Sequence, residues 1–165
     1  FKVIFNKVGY TSSGCDDVEF YVSFNLGENL NPLNKVASGG EMSRFMLAFK
    51  KILSDVDKIE TMIFDEIDTG ISGRAAQVVG EKLAEMSKYK QLICITHLPQ
   101  IAAFADDHYY IEKNVENERT FTSISNLDYE DREKEIARLI SGKIITEKTL
   151  EHSHEMIELA KKTKA

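Results

Sequence analysis

Two short apolar runs constrain this chain more than anything else in it. Met62, Ile63 and Phe64 form the first, Leu92 to Ile95 form the second, and a stretch of helical periodicity separates them. Apolar strands joined by a helix make a β-α-β unit, and continuous apolar strands of that kind are expected to be buried on both faces of a parallel sheet. Each run ends in polar chemistry. Asp65, Glu66 and Asp68 follow the first, and Thr96 and His97 close the second. In open α/β sheets ligands collect beyond the carboxyl ends of the strands, so one sheet edge is expected to hold all of these groups. A carboxylate withdrawn from water is costly unless a cation or a donor meets it. The edge is therefore expected to have a positive partner.

The flanking sequence predicts the rest of the fold. Residues 1–30 read as β-structure, with Val18, Phe20, Val22 and Phe24 alternating against Glu19, Tyr21 and Ser23 as in a half-buried strand. From Ser38 the period changes, and Met42, Phe45, Met46, Phe49, Ile52 and Leu53 recur at helical spacing. A second helix is predicted over 73–87, with Ala76, Val79, Leu83 and Met86 on one face, and a short one after Pro99. DHYYIEK and RTFTSISNL predict a strand pair. EDREKEIARLI predicts a helix with Ile136, Leu139 and Ile140 on its apolar side and a Glu130–Lys134 pair on its wet side, and a last helix is expected over 146–162. With 165 residues and no linker-like tract, the chain is expected to be a single α/β domain over 1–165, a mainly parallel sheet flanked by helices with an N-terminal β segment.

Composition removes several functions. No apolar run approaches the roughly 20 residues of a membrane helix, and no signal peptide is visible, so no membrane partner is expected. Cys15 and Cys94 are too few for a disulfide framework or a zinc site, which makes a reducing cytoplasm the expected setting. A net charge of −6 argues against a surface devoted to clamping nucleic acid.

Three stretches carry chemistry. Asp65, at a strand end, is placed to hold a hard cation, and Mg²⁺ suits a single carboxylate because it keeps several waters. Glu66, beside it, is placed to polarise an attacking water. Ser38 with Glu41 reads as a capping box, and Gly39 and Gly40 let a backbone approach a ligand closely at a helix start whose free N–H groups favour phosphate. His97 adds an imidazole at the same edge.

In order and spacing these stretches resemble the ABC-type ATPases. SGGE opens a helix, a hydrophobic strand ends in DE, and a later strand ends in TH. The SMC-like branch fits best. Within it, VEFYVSFNLGENLNPLNKVASGGEMSRFMLAFK, MIFDEIDTGISGRAAQVVGEKL and ITHLPQIAAFADDHYYIEK are similar to the C-terminal part of the RecN family of bacterial recombinational DNA-repair ATPases, over residues from about 10 to 142. The resemblance implies the C-terminal lobe of a P-loop ATPase head that uses ATP and Mg²⁺. It makes Asp65 the Walker B aspartate on Mg²⁺, Glu66 the catalytic glutamate and His97 the switch histidine. Ser38, Gly39, Gly40 and Glu41 become the signature loop, which contacts ATP held by the opposite subunit. Asp68 becomes a D-loop residue lining the dimer seam. Ala37 stands where many ABC proteins have Leu, and the direction of Arg44 is left open. The implied partners are the protein's own Walker A lobe, a second head across sandwiched ATP, and DNA. The implied place is the bacterial cytoplasm, in association with the nucleoid.

No phosphate loop of the form G-x-x-x-x-G-K-[ST] occurs. In ARLISGKIIT the first glycine position is Ala137 and the residue after Lys143 is Ile144, so Gly142 reads as a helix stop. The nucleotide cradle is expected in polypeptide outside these residues, and the chain alone is expected to be inactive. Two other readings remain open: a fragment of a transporter ATPase, against which Glu41 stands in place of Gln, and a non-catalytic module that binds Mg²⁺ structurally. His152 and His154, two apart on a helix, do not share a face and read as solvated.

Overall fold

The structure, a computed structural model, describes residues 1–35, 38–53, 58–116 and 119–164, apart from the Glu116 side chain. Ala37 lies outside the described residues.

The predicted β-α-β unit forms the centre. Strands β4 (Thr61–Phe64) and β5 (Gln91–Cys94) pair in parallel from Thr61 opposite Gln91 to Phe64 opposite Cys94. Helix α2 (Gly73–Ser87) makes the crossover. Helix α1 (Gly39–Ile52) precedes the unit. Met62 and Phe64 point into a core built with Leu47 of α1, Ile67, Ala76, Leu83 and Met86 of α2, and Ile101. The predicted apolar face of α2 is thus the one that packs.

Burial on both faces of the strands is not observed. Burial alternates along β4, and Ile63 remains 68% exposed, while Ile93 and Ile95 are about half exposed. Among the described residues only one face of this pair is covered, because both α1 and α2 pack on the side of Met62 and Phe64. The parallel part of the fold is a pair of strands among the described residues; antiparallel structure flanks it on either side.

N-terminally, β1 (Lys2–Thr11), β2 (Gly14–Val22) and the two-residue β3 (Asn31–Pro32) form an antiparallel sheet. Phe1 and Phe20 stack from this sheet toward Phe45 and Phe49 of α1, with ring centroids 5.8–6.2 Å apart. The alternation in β2 is only partly realised. Val22 is buried, Val18 and Phe20 stay exposed, and Phe24 falls beyond the strand.

C-terminally, α3 (Pro99–Ala102), α4 (Tyr129–Ser141) and α5 (Glu147–Lys164) build a second core with α2 from Ala84, Ala103, Phe104, Ile136, Ile157 and Ala160. A Cβ on Gly80 would sit 2.6 Å from the Phe104 ring, so glycine is what allows α2 to approach this cluster. Arg132, 8% exposed, donates through Nη2 to Ala103 O at 2.8 Å and so satisfies a carbonyl at the end of α3. Gly142, at φ 77°, terminates α4 as its position implies. Lys134 pairs with Asp131 at 2.9 Å and not with the predicted Glu130, three residues being as close as four on a helix. Strands β6 (Tyr109–Glu116) and β7 (Arg119–Asn126) form the expected hairpin.

No described helix is long and apolar enough to cross a membrane.

Candidate functional site

The site is built on the loop that leaves β4. Asp65 is exposed, and its Oδ1 accepts the Glu66 N–H at 2.9 Å. Glu66 has φ 57°, the one positive φ at a non-glycine among the described residues. Holding a glutamate there costs about 1–2 kcal/mol. The next residue supplies the compensation. Ile67 is fully buried in the central core, and burying such a side chain is worth about 1.5–3 kcal/mol. The chain therefore kinks at Glu66 so that Ile67 can point inward, and the Glu66 carboxylate is thrown onto the surface.

Helix α1 closes over this kink. Ser38 caps it, accepting the Glu41 N–H on Oγ at 3.4 Å, which supplies half of the predicted capping box. A Cβ on Gly39 would collide with Oε2 of Glu66. A Cβ on Gly40 would lie 2.7 Å from Thr69 O and 2.9 Å from Glu66 O. The glycines were expected to admit a ligand, and what they admit in this structure is the loop of Glu66. Ser43 donates from Oγ to Asp65 O at 2.9 Å, and Arg44 donates from Nη1 to Ile67 O at 3.1 Å and Thr69 O at 2.8 Å. The direction of Arg44 is thereby settled: it points inward and ties α1 to the loop. Neither Ser43 nor Arg44 departs from helical periodicity, so this task leaves no mark in the sequence.

Asp68 connects the loop to the end of β5. It is 4% exposed. Its Oδ2 accepts from Thr96 Oγ1 at 2.7 Å, from His97 N at 2.9 Å, and faces His97 Nδ1 at 2.9 Å. Burial pushes this carboxyl up, but the Thr96 hydroxyl, the His97 amide and the His97 ring together outweigh it, and the group is held below its ordinary value. Asp68 was expected in a D-loop lining a dimer seam; in this structure its side chain is turned inward, where Thr96 and His97 absorb its charge. His97 itself is largely exposed, with its side chain 74% accessible. Beneath the loop, burial, with the Asp68 and Asp65 charges adding, drives the Cys94 thiol up to about 12, so it is an inert core group.

Ser38 to Glu41, Asp65, Glu66 and His97 thus lie along one continuous rim at the carboxyl ends of β4 and β5. Among the described residues no group of three or more His, Cys, Asp or Glu is placed to hold a metal. What the rim offers a cation is the exposed Asp65 carboxylate at the strand end, with the exposed Glu66 carboxylate next to it in the chain. That suits Mg²⁺ sharing its shell with waters and phosphate oxygens, and does not suit a metal held by protein alone.

No protein-family model matches the chain. The fold is that of an α/β lobe like those of SMC ATPases. One solved structure, described as concerning ATP-driven dimerization and DNA-stimulated activation of SMC ATPases, superposes with a TM-score of 0.51 over 78% of this chain and 76% of that one, at 22% identity. Within that class the sequence belongs with the C-terminal region of the RecN family. It is 50% identical over 154 residues to the DNA repair protein RecN of Halalkalibacterium halodurans, 46% over 157 residues to that of Bacillus subtilis and 49% over 144 residues to that of Treponema pallidum. These alignments cover 93%, 95% and 87% of the chain, but only 25–27% of each relative, so the chain spans about a quarter of the curated relatives it matches.

Proposed function

We propose that this chain is the C-terminal lobe of a RecN-like ATPase head, which binds and hydrolyses ATP once joined to a lobe carrying a phosphate loop, and that the hydrolysis serves recombinational repair of DNA double-strand breaks. The observation that carries the proposal is the convergence of Glu66, Asp65 and the start of α1 on one rim. In this reading Asp65 holds Mg²⁺, which supplies charge neutralisation on the β- and γ-phosphates. The Glu66 carboxylate orients water, and His97 stands at the edge of the same rim. The N–H groups at the start of α1, with Ser38 and Glu41, face a nucleotide held by a second head, so two heads close around ATP.

The uncovered face of β4 and β5 supports the need for another lobe. Ile63, Ile93 and Ile95 form an apolar strip on a parallel pair, and parallel pairs are ordinarily covered on both sides. Glycines 39 and 40 are occupied by the Glu66 loop, so engaging a phosphate there requires the carboxylate to move aside. DNA enters only through the relatives' names; in this reading the route to it is head closure and not base reading, in keeping with a net charge of −6. The place of action in this reading is the cytoplasm, at the nucleoid.

Glu66→Gln in the longer protein is expected to trap ATP-bound dimers, seen as a shift in mass by light scattering on adding ATP and Mg²⁺. A variant that turns over ATP like the parent would remove Glu66 from this role.

A further inference from the structure

Asp68 takes no part in the scheme above, yet it is one of the few buried charged side chains described. Its surroundings define its protonation. Thr96 Oγ1 accepts the Leu98 N–H at 3.0 Å, so its own proton is free to be given to Asp68 Oδ2, and the His97 N–H points at the same oxygen. A carboxyl oxygen that receives a hydroxyl and an amide is an acceptor and carries no proton of its own. The His97 Nδ1 beside it at 2.9 Å must then carry a proton.

We propose that Asp68 is a positioning residue for His97, fixing the neutral imidazole as its Nδ1–H tautomer and presenting Nε2 to the rim as a hydrogen-bond acceptor. The chemical consequence is specific. An Nε2 lone pair takes a hydrogen bond from a donor, such as a water or a hydroxyl. A phosphoryl oxygen, itself only an acceptor, meets no proton there unless the ring gains a second one. In the hydrolytic reading, on which this consequence rests, neutral His97 therefore helps hold the attacking water together with Glu66. Thr96 is the second positioning group: it anchors the carboxylate and the turn into α3 at once.

The test is the tautomer itself, read by long-range ¹H–¹⁵N correlation on the ¹⁵N-histidine-labelled 165-residue chain, at a pH where the imidazoles are neutral and without nucleotide. His97→Gln assigns the signal among the four histidines. The expected result is a protonated Nδ1 and an unprotonated Nε2. Free imidazole side chains favour the opposite form, so the pattern is diagnostic, and a predominant Nε2–H form would overturn the proposal. Asp68→Ala removes the acceptor and is expected to lose the Nδ1–H signal; its persistence in the folded variant would equally overturn it. Should Asp68→Ala fail to fold, Thr96→Val serves, since it keeps the carboxylate and is expected to keep the tautomer. Loss of the tautomer in that variant would assign the fixing to Thr96 and contradict the role given to Asp68. The spectrum contains no ATP, so a failure here leaves the hydrolytic reading standing. An absence of ATP turnover in the longer protein would leave the tautomer standing.

Discussion

The loop after β4 and the β6–β7 hairpin are held in opposite ways. The loop is short, strained at Glu66, and pinned from three directions: Ile67 in the core, Arg44 on its carbonyls and Asp68 on the end of β5. The hairpin is regular over eight residues a side, and every residue of β7 is exposed. Its order comes from a local backbone ladder, with little packing behind it. Strain survives only where surroundings over-determine it, and chemistry gathers at such places. The rim is held in place by its buried neighbours, not by a comfortable backbone of its own.

Substitutions separate the two regions, and the core anchor has the largest effect. Ile67→Ala is expected to cost about 2–5 kcal/mol in denaturant unfolding. Ile124→Thr, on the exposed hairpin, should stay within about 0.5 kcal/mol. Equal losses at the two positions would abolish the distinction. Gly40→Ala comes next. Its Cβ meets two backbone oxygens that cannot rotate away, so about 1–3 kcal/mol should be lost.

The strain itself is read by comparing Glu66→Gly with Glu66→Ala. Both remove the carboxylate, so the glycine variant should be more stable by about 1 kcal/mol, and equal stabilities would show that no strain is stored.

Acid sharpens the comparison further. Asp68 is held below its ordinary 3.8, so its contribution is present above that value and is lost as pH falls through the depressed one. His108 is different: burial and then the Arg132 charge hold it below its ordinary 6.5. The unfolded chain takes up that proton first, so His108 makes stability fall as pH drops below about 6.5. Thermal unfolding against pH should show two steps, of which His108→Gln removes the upper and Asp68→Asn the lower. A profile unchanged by either substitution would contradict these assignments.

Much of this was legible in the sequence, for identifiable reasons. The β-α-β unit, the capped helix at Ser38 and the face of α2 follow from periodicity, which tertiary contacts here reinforce. The resemblance carried by SGGE, FDEIDTG and ITH led to the family. The one-sided burial of β4 and β5 was not legible, because an apolar run does not say which of its faces a neighbour will cover. Nor was the inward turn of Asp68: a carboxylate two residues past Glu66 looks the same in sequence whether it meets a nucleotide or a threonine hydroxyl. Arg44 was undecidable for a similar reason, since its acceptors are backbone carbonyls that any residues would supply.

In the proposed function these residues are half of a nucleotide-hydrolysing head, and the decisive measurement is ATP turnover by the chain alone and by the same chain joined to a phosphate-loop lobe of the RecN family. Turnover is expected only in the joined form, with Mg²⁺, and is expected to be lost in Glu66→Gln. Turnover by the chain alone, or a joined form indifferent to that substitution, would contradict it.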